Sequence, residues 1–270
     1  MIIRETTCKT ALIRSALPNL DYALNPYRGC EHACIYCYAP SVLKYRGEEK
    51  WGDFVEVRKN MPKILSKELK SKRKEPGIVG IGTVTDPYQP VEKRYEVTMN
   101  CLKVLLERDF PVSIQTKSSL VLRDINILKR FKRCEVGFTI TSIDESIREK
   151  YEPKSSSFEE KISAIRKLSK NGIKTWIFLG PIMPYITDRQ GELEKLISKI
   201  PPDISCILID KLRLKKGLWE NIESFLSAYN PELIPIYKDI LYSKNDYFSN
   251  VKSKIINLCR AYNINCKVLF

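Results

Sequence analysis

The sequence predicts a parallel α/β protein. Three observations carry the prediction: short β-branched apolar runs bounded by turn residues, helical periodicity between them, and a spacing of one βα unit from run to run. Six runs read as strands: Tyr22 to Tyr27, Ile78 to Val84, Val112 to Thr116, Glu135 to Thr141, Lys174 to Leu179 and Cys206 to Ile209. Val136-Gly137-Phe138-Thr139-Ile140 and Trp176-Ile177-Phe178-Leu179 are apolar on both faces, as strands covered on both sides require. From the second run onward the starts fall roughly 25 to 40 residues apart, the length of one βα unit. The first gap is longer and is expected to hold a functional loop. Six units are fewer than the eight of a closed barrel, so periodicity fits either an open partial barrel or a doubly wound sheet.

The helices have their own signals. Pro62 opens one in which Ile64, Leu65 and Leu69 form a stripe and Lys70 to Lys74 a basic end beside the negative end of the dipole. Glu92 to Phe110 reads as a second, with Val97, Cys101, Leu102 and Leu105 inward. Ser157 and Glu160 form a capping box for a third, where Ile162, Ile165 and Leu168 share a face and Asn171-Gly172 supplies the left-handed stop. After Leu214 the strand rhythm gives way to helical segments around Gly217 to Tyr229 and Asp246 to Tyr262. The expected organisation is an N-terminal segment (1–21), a strand-bearing unit (22–214) and a C-terminal helical extension packed on it (215–270).

Composition narrows the class. With 43% hydrophobic and 29% charged residues the chain matches ordinary globular proteins and neither disordered tails nor membrane channels. No apolar run approaches the roughly 18 residues of a spanning helix, and Arg4, Glu5 and Lys9 stand where a signal peptide needs apolar residues. A cytoplasmic monomer without membrane contact is expected. The formal charge of +14 favours polyanionic partners such as nucleic acid, although solvated lysines give the same arithmetic. Basic runs at Lys70 to Lys74, Arg130 to Arg133 and Lys211 to Lys216, with Tyr88, Tyr151 and Tyr185, are the candidate nucleic-acid contacts.

Nine cysteines without a secretory signal point to ligands, nucleophiles or buried apolar residues rather than disulfides. Three of them, Cys30, Cys34 and Cys37, stand in C-x-x-x-C-x-x-C spacing directly after the first strand. Three soft thiolates so close select zinc or an iron–sulfur centre over hard cations. Structural zinc normally takes four ligands, and no fourth Cys or His follows at a usual spacing, while His32 lies inside the triplet. An iron–sulfur cluster with three protein ligands leaves one iron open to a further ligand. The zinc alternative corresponds to a nucleic-acid-binding module without catalysis. Cys8, Cys101, Cys134, Cys206, Cys259 and Cys266 show no ligand spacing, and Cys101 and Cys206 are expected to be buried.

The segment from Asn25-Pro26-Tyr27-Arg28-Gly29-Cys30 through Cys37-Tyr38-Ala39-Pro40 resembles the radical S-adenosylmethionine (radical SAM) enzymes: it has their triplet spacing, the aromatic Tyr36 before the third cysteine, and the position after the first strand. The likeness to the spore photoproduct lyase branch extends to Cys37-Tyr38, Thr85-Asp86 after strand two, Thr116-Lys117 after strand three and Ser142 after strand four, and covers about Tyr22 to Leu214. The resemblance implies a partial (β/α)6 TIM-like barrel with a C-terminal helical extension. It also implies a [4Fe–4S] cluster on the three cysteines whose open iron chelates S-adenosylmethionine. A reductant such as flavodoxin or ferredoxin drives cleavage to methionine and a 5′-deoxyadenosyl radical, which abstracts hydrogen from a substrate, with nucleic acid a candidate. In the cofactor site, Lys117 suits the methionine carboxylate, Asp86 and Thr85 its ammonium, Ser142 ribose or carboxylate oxygens, and Pro181-Ile182-Met183-Pro184 the adenine. Tyr36 and Tyr38 match residues that relay a radical. Two features depart from the family. The Gly-Gly-Glu common after strand two is replaced by Gly82-Thr83-Val84-Thr85-Asp86. Thr83 also stands where the lyases carry a hydrogen-donating cysteine, so thymine-dimer repair by that route is not expected.

Overall fold

Residues 1–71, 76–189 and 191–270 are described by the structure, a computed structural model. The strands among them are β1 (Ile2–Thr6), β2 (Ile13–Arg14), β3 (Tyr22–Leu24), β4 (Tyr27–Gly29), β5 (Phe54–Arg58), β6 (Val79–Ile81), β7 (Val112–Thr116), β8 (Cys134–Ile140), β9 (Lys174–Ile182), β10 (Ile207–Lys211) and β11 (Cys266–Val268). Each of the six expected runs contributes one strand to a parallel array, β3-β6-β7-β8-β9-β10, in chain order. β2 joins one edge antiparallel and β11 the other edge parallel. Among the described residues the two edges do not pair, so the array is an open, partial barrel.

The first expected strand breaks in two. β3 stays in the large sheet, whereas β4 turns away and pairs antiparallel with β5, itself parallel to β1. Pro26 lacks a ladder donor, and Asn25 turns its side chain across to Val84 N (3.1 Å) and Thr83 Oγ1 (2.9 Å), so the chain leaves the sheet at this pair. Gly29 ends β4 at φ +85°, and a Cβ there would sit 2.3 Å from the Phe54 carbonyl oxygen. Gly29→Ala is therefore expected to cost about 1–3 kcal/mol from backbone strain alone, read as a lower Tm in thermal unfolding. An unchanged Tm would mean that β4 is free to shift away from β5.

The helices are α1 (Ala39–Val42), α2 (Met61–Lys70), α3 (Glu92–Tyr95), α4 (Val97–Leu106), α5 (Ile125–Leu128), α6 (Glu145–Tyr151), α7 (Phe158–Lys170), α8 (Glu192–Ser198), α9 (Trp219–Tyr229), α10 (Leu233–Tyr242) and α11 (Tyr247–Ala261). α2 begins at Met61, with the expected Pro62 in its first turn, but part of its basic end, at residues 72–74, lies outside the described residues. α7 has both bonds of the capping box, and Ile162, Ile165 and Leu168 are buried. The single helix expected over Glu92 to Phe110 is instead two, split where Glu96 adopts a left-handed conformation. The split is stabilised by the buried Glu92 carboxylate, which accepts from Thr98 N (2.9 Å) and Met99 N (3.2 Å), amides in the first turn of α4. Beyond Leu214, α9 and α11 match expectation, while α10 and β11 are additional.

One apolar core fills the space between the large sheet and its helices. A second gathers at the carboxyl ends of the strands, where Tyr36, Ile147, Tyr151, Met183 and Ile186 meet α9 and α10. No helix among the described residues is long and apolar enough to cross a membrane.

Candidate active site

The parallel strands point their carboxyl ends to one mouth, and the loop from Cys30 to Cys37 lies there between β4 and α1. Its first turn is held by the β6–α3 loop. Thr85 Oγ1 donates to the Gly29 carbonyl (2.7 Å), and Gln89 Nε2 donates to Thr85 Oγ1 (3.0 Å) and to the Asp86 carbonyl (3.2 Å). Gln89 Oε1 accepts from Glu31 N (2.9 Å), and the Glu31 carboxylate accepts from Val91 N. Gln89 is fully buried, and its side-chain amide ties the loop to the β6–α3 connection. Sequence reading missed it because a glutamine in a loop carries no periodic signal.

Asp86 is also buried and fully engaged. Its Oδ1 accepts from Tyr88 N (2.9 Å) and Thr116 Oγ1 (2.7 Å), and its Oδ2 from Lys117 N (2.7 Å). His32 Nδ1 lies 3.3 Å from Oδ2, within ion-pair range but outside hydrogen-bond alignment. Burial alone would raise the Asp86 carboxyl, yet His32 and Lys117 outweigh it and hold the group down to about 2. The carboxylate thus binds the end of β7 to the cysteine loop, and Thr85 and Asp86 both have scaffold partners where the sequence suggested ligand contacts.

Lys117 differs. The residue is half-buried, and its Nζ has no hydrogen bond or ion pair among the described residues and stands 5.8 Å from the centre of the Tyr36 ring. Burial disfavours its charge, but Cys34, Glu152, Asp86 and Cys37 reverse this and keep it a cation. Ser142, buried after β8, accepts from Asp144 N (3.0 Å) through Oγ, at the entry to α6. Pro181 follows a cis peptide bond near the end of β9, and Ile182 and Met183 behind it are buried.

The two tyrosines part company. Tyr36 is buried and donates to Glu152 Oε1, whereas Tyr38 is 47% exposed and donates to the Thr83 carbonyl (2.6 Å). Glu152 is a further residue that sequence reading missed. It follows α6, and its cation partner Lys161 is on α7, a separation no single-helix pattern reveals.

All three loop thiols are free. Burial pushes Cys30 up to about 12, with the Asp86 charge adding, and burial also raises Cys34; it raises Cys37 too, against the opposing pull of the Ala39 amide and Lys117. Thiols of this kind, Cys30 buried and Cys34 and Cys37 half-buried, become thiolates when a soft metal displaces their protons, so the donor set fits an iron–sulfur centre. Among the described residues no group of three His, Cys, Asp or Glu side chains is arranged for a single metal ion. Of the other cysteines, Cys101 is buried as expected, but Cys206 is only half-buried because it precedes β10 at the sheet end.

Three free thiols at the open mouth of a parallel partial barrel are a donor set for a soft metal centre, at the strand ends where such folds carry their active sites. Residues 24–197 match the radical SAM superfamily, and the chain belongs to it as an enzyme of radical SAM mechanism. An uncharacterized protein of Methanocaldococcus jannaschii is 33% identical over 266 residues, spanning 98% of this chain and 96% of its own length. Spore photoproduct lyase of Clostridium acetobutylicum is 24% identical over 184 residues, spanning 67% of this chain and 52% of the lyase. A solved mutant of spore photoproduct lyase with bound AdoMet and dinucleoside spore photoproduct has a TM-score of 0.71 at 16% identity, over 99% of this chain and 82% of that one. At that identity the likeness establishes the fold. The family implies an iron–sulfur cluster and S-adenosylmethionine.

Proposed function

We propose that Cys30, Cys34 and Cys37 hold a [4Fe–4S] cluster, that S-adenosylmethionine binds beside it, and that the enzyme abstracts hydrogen from a nucleic-acid substrate. The carrying observation is the unpaired Lys117 cation at the mouth that also bears the three free thiols. Given an electron from a carrier such as flavodoxin or ferredoxin, the bound cofactors supply reductive cleavage of the sulfonium to methionine and a 5′-deoxyadenosyl radical.

In this reading Lys117 binds the methionine carboxylate, since a cation without a competing protein anion at hydrogen-bond distance is free to pair with one. Thr85 and Asp86 act one step back. Their oxygens already bind Gly29 and the end of β7, so they orient the loop, and Asp86 adds negative potential that favours an ammonium. Ser142 keeps a hydroxyl proton for a ribose or carboxylate oxygen, and the turn after Pro181 borders the adenine. Tyr36 and Tyr38 relay a radical, Tyr38 being the exposed member.

The charge distribution favours a polyanionic substrate. Topology puts Arg130 to Arg133 at the amino end of β8, away from the mouth, whereas Lys215 and Lys216 follow β10 at the mouth end. Lys44, Arg46, Lys150 and Lys154 are exposed on loops and helix ends on that same side. The relative solved with a dinucleoside lesion supports the same substrate class. Thr83 bears no S–H, and its hydroxyl lies 2.9 Å from Asn25 Nδ2, so the lyase's own hydrogen return is not part of the proposal.

Anaerobic reconstitution with iron and sulfide tests the reading. We expect brown protein with about four irons per chain that releases 5′-deoxyadenosine when given dithionite and S-adenosylmethionine. Colourless protein binding one zinc would instead favour a nucleic-acid-binding module.

A further inference from the structure

The corner between α6 and α7, residues 151–157, grips the stretch between the second and third cysteines. Ile35 N donates to the Tyr151 carbonyl (3.1 Å), and the Tyr36 hydroxyl donates to the Glu152 carboxylate. Lys154 Nζ lies 3.9 Å from Glu31 Oε2, closer to the first cysteine. The same corner reaches the cation side of the site, where Ser156 N donates to the Lys117 carbonyl (3.0 Å) and Ser119 N to Ser156 Oγ (2.9 Å).

Glu152 is the centre of this corner. It is fully buried, and its second oxygen accepts from Ser155 Oγ (3.0 Å) and from Lys161 Nζ (3.1 Å), a lysine only 2% exposed. The Arg148 guanidinium closes the turn by donating to the Glu152 (3.2 Å) and Ser155 (3.0 Å) carbonyls. A buried ion pair is weak as a stabilising device, because desolvation of both charges offsets most of their attraction. What this pair does provide is direction. The carboxylate faces the cysteine loop through Tyr36, and the ammonium comes from α7 behind it.

We propose that Glu152 is a positioning residue for the metal-binding loop: anchored on Lys161, it fixes Tyr36, which stands in the chain between Cys34 and Cys37, and places a buried negative charge beside the metal centre, lowering that centre's reduction potential. The inference rests on the iron–sulfur reading of the three cysteines. The levers are those by which proteins tune such centres, namely hydrogen bonding around the ligands, local charge and burial. A negative charge fixed nearby disfavours adding an electron, and low-dielectric surroundings strengthen the effect.

The test is a charge cycle on reconstituted full-length protein, with iron content and the midpoint potential from an EPR-monitored redox titration as readouts. Glu152→Gln, which keeps shape and removes charge, is expected to move the potential upward and to lower iron retention. Glu152→Asp, which keeps the charge, is expected to stay nearer the wild-type potential. Comparing Lys161→Met with the double variant Glu152→Gln/Lys161→Met repeats the measurement without an unpaired buried lysine, and the same upward movement is expected even if Glu152→Gln alone fails to fold. Wild-type iron content and potential in the glutamine variants would overturn the proposal while leaving the iron–sulfur reading intact. A wild-type chain that takes up no iron would overturn that reading, and this proposal with it.

Discussion

Cys34→Ala is expected to remove iron and S-adenosylmethionine cleavage together. Cys34 is the middle ligand of the proposed three, and the main-chain bond from Ile35 N to the Tyr151 carbonyl pins the loop beside it. A replacement thiol would have to come from another part of the chain. Among the other six cysteines, Cys101 and Cys259 are buried in the core, Cys134 begins β8 and Cys206 precedes β10 at the amino ends of their strands, Cys266 begins β11, and Cys8 follows β1. Cluster assembly should therefore fail rather than shift to a new ligand. Iron analysis and the visible spectrum read the loss directly. A Cys34→Ala protein that retained both colour and 5′-deoxyadenosine release would sink the assignment of the three cysteines.

Lys117→Met should have nearly as large an effect on a different quantity. The variant keeps an unbranched side chain of similar length and removes the ammonium that stands 5.8 Å from the Tyr36 ring centre. Losing one charge-assisted hydrogen bond to a carboxylate is worth about 1.5–3 kcal/mol, so S-adenosylmethionine affinity should fall about 10- to 100-fold while iron content stays near wild type. Equilibrium binding to reconstituted protein measures it. Unchanged affinity would show that the carboxylate has another partner and that the lysine serves only as a counter-charge to the metal-bound thiolates. The two variants separate metal ligation from cofactor recognition, since the first removes the centre and the second spares it.

Much of this site was legible because its chemistry is local. Cys30, Cys34 and Cys37 lie within one loop, and Thr85, Asp86, Lys117, Ser142 and Pro181 fall at or just beyond strand ends that hydrophobic patterning locates. The capping box at Ser157 and Glu160 is equally local, since both bonds close within one turn. The misreadings have physical causes too. β1 is an exposed edge strand, and β11 is three residues long with no buried face, so neither presents an apolar run. Glu96 breaks a helix that its periodicity would continue, because Glu92, distant in register but close in space, receives the amides freed by the break.

By itself, then, the sequence determined an open parallel array with a cysteine loop at its mouth, because strand burial, helix caps and ligand spacing are each set by residues near one another in the chain. Only the tertiary structure decided which strand-end groups are occupied and which are free. Asp86 and Thr85 hydrogen-bond to the chain around the cysteine loop, the Lys117 ammonium has no anion partner among the described residues, and Glu152 accepts from the Tyr36 hydroxyl. Those outcomes depend on hydrogen bonds between residues 30 to 116 positions apart, and no local pattern encodes a partner at that range.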